Sequence, residues 1–122
     1  MIRVLSLLLA TLLFSVPAVF AEEKEAYTEV PNDKVCMVND KFMAEDQIPV
    51  PFEGKTYYGC CEMCVTKLQG DVTARTAIDP LTGKSVDKAS AYIVMKPDKK
   101  VLYFTSKDTF AEYTKNSVKK IN

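Results

Sequence analysis

The sequence predicts an α+β fold built from two small ββα units, and three observations carry that prediction. Two aromatic segments, Thr56-Tyr57-Tyr58 and Val101-Leu102-Tyr103-Phe104, each follow an extended stretch and a short polar turn. Each leads into a segment with apolar residues at helical spacing. Each arrangement is introduced by an Asp and a short knuckle, so the order knuckle, hairpin, helix occurs twice within residues 33–122.

The first 21 residues read as a secretory signal peptide. Arg3 supplies the positive n-region, Val4 to Val16 an almost unbroken apolar run, and Val19-Phe20-Ala21 a cleavage site. The apolar run is short for a membrane span. Removal takes one of the 16 basic residues and none of the 16 acidic ones, leaving a mature charge of about −1. That balance points away from nucleic acid and anionic membrane surfaces as partners. The expected location is periplasmic, where disulfides form and persist. Residues 22–32, EEKEAYTEVPN, are acidic and aperiodic and read as a flexible leader.

The first unit, residues 33–70, opens on Asp33-Lys34-Val35-Cys36. Gln47 to Phe52 reads as a strand, Glu53-Gly54-Lys55 as a turn, and Thr56-Tyr57-Tyr58 as the returning strand. Cys61 to Gln69 reads as a helix, with Cys64 and Leu68 on one face and Gly70 as its stop. The second unit, residues 71–122, packs on the first and has the same order without sulfur. Its parts are Asp79-Pro80-Leu81-Thr82, a strand over Ala91 to Met95, a turn over Pro97 to Lys100, a strand over Val101 to Phe104, and a helix over Ser106 to Ser117 capped by Thr105 or Ser106. Aligned from their aspartates, the units set Cys36, Cys60 and Cys64 opposite Thr82, Thr105 and Thr109.

The chain has four cysteines and no histidine. Three of the cysteines lie in Gly59-Cys60-Cys61-Glu62-Met63-Cys64. A distant knuckle Cys36, with Cys60 and Cys64 across a strand–helix junction, is how treble-clef-like metal sites are assembled, because a hairpin returns the knuckle over the helix start. The positive helix end also favours thiolates. Alternatives stand beside this. Four cysteines in a secreted chain allow three disulfide pairings, and Cys36–Cys60 with Cys61–Cys64 is conceivable. Cys61-Glu62-Met63-Cys64 also has the spacing of a thiol-redox motif, although no βαβ pattern surrounds it.

Cys36-Met37, the run Glu53-Gly54-Lys55-Thr56-Tyr57-Tyr58 leading into Gly59 to Cys64 with its Cys-x3-Cys, and the short helix that follows resemble a TRASH/YHS-type heavy-metal-binding domain over residues 33–69. The second unit resembles a YHS-type unit without its cysteines. The resemblance implies that Cys36, Cys60 and Cys64 are metal ligands and that the protein serves heavy-metal trafficking, resistance or sensing. The first spacing is slightly long, and Cys61 stands where a small residue such as Ser is common.

Thiolate ligands without imidazole select soft ions. Cu(I) is favoured, because two or three sulfurs satisfy it. Zn(II) is the alternative, with Cys61, Glu62 or water as fourth ligand. Met37 and Met63 are soft neighbours, but core filling is the simpler reading of Met37, Met43, Met63 and Met95. The sequence therefore points to soft-metal sequestration or transfer with Cys61 as an auxiliary ligand, a metal-trafficking protein as partner, and a monomer or metal-bridged dimer. The rival is an interaction module stapled by zinc or disulfides. Catalysis is not expected. No Ser-His-Asp arrangement can exist without His, and Thr82-Gly83-Lys84-Ser85 lacks the upstream glycine of a phosphate loop and reads as a turn.

Overall fold

Proline placement shapes the hairpin that feeds the sulfur cluster. β4 (Ile48–Phe52) carries Pro49 and Pro51, which cannot donate to a ladder, and it pairs with β5 (Lys55–Gly59) in a two-stranded sheet where none of its N–H groups needs a second partner. Val50 and Tyr57 face each other across the pair and are both buried. The two-residue turn places Glu53 at φ 49° and Gly54 at φ 77°, the left-handed values that match hairpin twist. The turn is thus tighter than the sequence suggests, and Lys55 belongs to the strand.

The computed structural model describes residues 26–119, together with Ser15. The expected signal peptide, residues 1–21, lies outside the described residues apart from Ser15. Before β4 come β1 (Thr28–Glu29), a 3-10 turn (Asn32–Lys34), β2 (Val35–Cys36) and β3 (Lys41–Phe42). β5 is followed by α1 (Glu62–Gly70) and the single turn α2 (Val72–Arg75), whose cap Asp71 accepts a hydrogen bond from the Thr73 N–H. The remainder is β6 (Thr76–Ile78), β7 (Ser85–Asp87), β8 (Tyr92–Met95), β9 (Val101–Phe104) and α3 (Lys107–Lys119). The fold is α+β, with four small antiparallel sheets among the described residues, β2-β3, β4-β5, β6-β7 and β1-β8-β9.

The expected flexible leader departs from this in its described part. Thr28 and Glu29 pair with Met95 and Val94 of β8, and Val30 is buried. Tyr27 meets Phe110 edge-on at 5.7 Å. The segment has one apolar residue that needs cover, and β8 has an edge that needs a partner. The hairpin β6-β7 is also additional, where the sequence suggested only a knuckle.

One core serves both halves. Val35, Val50, Tyr57 and Leu68 from the first pack with Ile93, Val101 and Tyr103 from the second. α3 buries no residue fully, yet Phe110 lies 5.3 Å from the Phe104 ring and anchors the helix to β9. Ser106 caps it, its Oγ accepting from the Thr109 N–H at 3.3 Å. Among the described residues no helix is long and apolar enough to cross a membrane.

Candidate metal centre

Three elements converge on the sulfurs. β2 ends on Cys36, which pairs with Lys41 across the turn of residues 37–40. The Met37 N–H donates to the Tyr58 carbonyl at 2.9 Å and so docks this knuckle onto β5. Cys60 lies between the end of β5 and the α1 N-cap, Cys61, while Cys64 occupies the first turn of α1. Gly59 permits the close approach. A Cβ there would stand 2.9 Å from the Cys64 Cβ, a distance side chains do not tolerate. Glycine at 59 is therefore part of the site, although nothing in its sequence context announces that.

The Cys64 Sγ is the hub. It lies 3.9 Å from Cys36 Sγ, 3.6 Å from Cys60 Sγ and 3.5 Å from Cys61 Sγ. The Sγ atoms of Cys36, Cys60 and Cys64 all fall within 4.8 Å of one another. Sulfurs each about 2.3 Å from one ion stand about 3.8 Å apart in tetrahedral geometry and about 4.0 Å apart in a trigonal plane. The cluster therefore lies within metal-binding distance. Cys61 stands apart from this set, exposed to solvent and adjacent to Cys64.

The surroundings treat the four thiols differently. Burial raises the Cys36 pKa, but the N–H groups of Asn39 and Val38 in the knuckle turn outweigh it, and the net shift is downward. Hydrogen bonding to Cys36 and then burial push Cys60 up to about 12. Burial likewise raises Cys64. Cys61 is lowered, chiefly by the Cys64 N–H at the helix start. The Asn39 Nδ2 donates to the Cys60 Sγ at 3.7 Å, which anchors that sulfur to the knuckle.

A buried lysine from the second half completes the knuckle. Lys88 donates to the Met37 carbonyl at 2.7 Å and to Asp40 Oδ1 at 2.8 Å. Tyr103 donates its hydroxyl to the same Asp40 oxygen at 2.8 Å. Asp40 itself has φ 52°, so the turn is held in a left-handed bend by these contacts. Sequence reasoning missed Lys88 because lysine is rarely buried and its partners lie 51 and 48 residues away. Of the methionines, Met37 is fully buried in the core, while Met43 is exposed and Met63 is 82 % exposed beside Cys64, so core filling describes Met37 and neither Met43 nor Met63.

No known family, curated protein or solved structure matches this chain.

Proposed function

We propose that this is an extracytoplasmic soft-metal-binding protein that holds Cu(I) through Cys36, Cys60 and Cys64 and passes it on by ligand exchange. The observation that carries the reading is the convergence of those three sulfurs from a knuckle, a strand end and a helix start. The ligand chemistry supports a soft ion, since sulfur is the donor and the chain has no histidine. The resemblance to TRASH/YHS-type units supports metal handling, and the N-terminal signal supports a periplasmic location. Cys60, partly exposed, is the ligand that an incoming thiol or thioether from a trafficking partner displaces first. Cys36 and Cys64, both buried, release last. The role is carriage, not catalysis.

Competition between the protein and a Cu(I) chelator tests the assignment. Cys36→Ser and Cys64→Ser should each weaken binding by more than about a hundredfold, beyond what loss of a supporting contact costs. Stoichiometric binding by the Cys36→Ser/Cys64→Ser double variant would overturn it.

One observation favours a second reading, a zinc staple. Cys36 and Cys64 belong to the buried interior, and a metal held there contributes folding energy. A carrier surrenders its ion to a chelator while it stays folded. A staple releases it only as the chain unfolds.

A further inference from the structure

We infer that Cys61 and Cys64 form a thiol–disulfide couple that competes with the metal for the Cys64 sulfur. The inference rests on the metal reading for its consequence and on separate geometry for its chemistry. Cys61 is the α1 N-cap, and Cys64 lies three residues later in the first turn, with the sulfurs 3.5 Å apart. This is the shortest of the contacts that Cys64 makes with the other three cysteines, and it involves the exposed one. Cys36 is fully buried and out of reach of a dissolved oxidant, and Cys60 is half-buried and tied to Asn39. An attacking or attacked sulfur must be accessible, so Cys61 is where exchange begins.

The partner is a small disulfide or an exposed protein disulfide, as an oxidising compartment supplies. Deprotonated Cys61 attacks one sulfur of that disulfide. The incoming S–S bond breaks, one thiol leaves, and a mixed disulfide remains on Cys61. Cys64 then attacks the Cys61 sulfur, and the second thiol leaves with a proton taken from solvent. The two protein sulfurs have lost two electrons, and the incoming disulfide has gained them as two thiols. A Zn(II) ion previously bound by three sulfurs keeps only Cys36 and Cys60, too few for its four-coordinate preference, and is released.

Zn(II) is the suitable probe because it has no redox chemistry of its own. The chain without its expected signal peptide, residues 22–122, is loaded with one Zn(II) and treated anaerobically with oxidised glutathione. Zinc release is followed with a chromophoric chelator, and the linkage is identified by fragmentation mass spectrometry. The expected result is one Cys61–Cys64 bond per zinc released, and release at least about tenfold slower from Cys61→Ser, which must begin from a less accessible sulfur. Equal release rates for the two proteins, or a bond joining Cys64 to Cys36 or Cys60 in the unsubstituted chain, would overturn the couple. Failure to load zinc or copper at all would overturn the metal reading instead. The same oxidation of the metal-free protein would then decide the couple alone, a Cys61–Cys64 bond supporting it and any other bond refuting it.

Discussion

The two halves of the molecule solve one structural problem with different elements. In each, a hairpin tip must be fastened to the start of a helix. The tip of β2-β3 carries Cys36, paired with Lys41 five residues on. The tip of β6-β7 carries Asp79, whose N–H donates to the carbonyl of Lys84, also five residues on. Cys36 therefore stands where Asp79 does. Alignment from the leading aspartates had set it opposite Thr82, and the difference arises because the hairpin register, which the sequence does not display, decides the match.

In the second half the fastening is complete. Asp79 is fully buried, and its Oδ1 accepts from the N–H groups of Leu81 and Thr82 at 2.8 and 3.2 Å. Its Oδ2 accepts from the N–H and the hydroxyl of Thr105, both at 2.8 Å. Ser106 and Thr109 bond to each other at the helix start. At the equivalent places the first half has Cys60, Cys61 and Cys64. Thiols are weak donors and weak acceptors, and their contacts here span 3.5 to 3.9 Å. Oxygen closes one junction by hydrogen bonding alone. The sulfur junction gains comparable closure only when an ion bonds several sulfurs at once.

The largest effect should come from breaking the oxygen junction. Asp79→Ala strands four donors in a buried place, at a cost of about 4 kcal/mol once partial rescue by water is allowed. Denaturant unfolding should show the same loss with and without metal, because this junction holds no sulfur. A metal-dependent loss would dissolve the distinction between the halves.

Lys88 couples the halves, and its removal should cost less. Lys88→Met leaves the Met37 carbonyl without its donor and Asp40 without its counter-ion. Losing one partner of a fully buried pair costs about 3–5 kcal/mol, but Asp40 remains half-exposed to water, so about 2 kcal/mol is expected. Here the metal matters, since the same contacts hold the knuckle that bears Cys36. Zn(II) or Cu(I) affinity should fall together with stability. Unchanged affinity would show that the second half does not support the site.

A comparable but more diffuse effect is acid lability. Burial raises the Asp79 pKa, but the Thr105 and Leu81 N–H groups outweigh it and lower the carboxyl to about 2. A carboxyl depressed on folding stabilises fully above its unfolded value near 3.8, and that contribution fades as pH falls toward about 2. Asp87 is shifted the same way. Burial opposes ionisation there, and the Lys55 ammonium and the Ala89 N–H prevail. The metal-free protein should therefore lose on the order of 2 kcal/mol between about pH 4 and pH 2, and Asp79→Asn should flatten most of that slope.

How much of this was legible follows from the range of each contact. The hairpins β4-β5 and β8-β9 and the helices α1 and α3 are local, and alternation and helical spacing announce them. The grouping of Cys36 with Cys60 and Cys64 was legible because a hairpin between them returns the chain to the helix start. The pairing of β1 with β8 was hidden, since Thr28 and Glu29 are polar and their partners lie over sixty residues on. Lys88 and Asp79 were hidden for another reason. Their types read as surface, and only partners brought in from elsewhere in the fold, backbone groups together with Asp40 and the Thr105 hydroxyl, make burial possible. Gly59 was printed in the sequence, but its meaning is a distance to Cys64.

The central claim is that the sulfur junction is closed by a soft ion. The most direct test is the native intact mass of the mature protein, isolated from its own compartment before any reductant or chelator is added. The account predicts one bound copper per chain, with Cys61 free or joined to Cys64 only in the metal-free fraction. A metal-free mass short of one or two pairs of hydrogens throughout, with Cys36 or Cys60 in the disulfides, would contradict it.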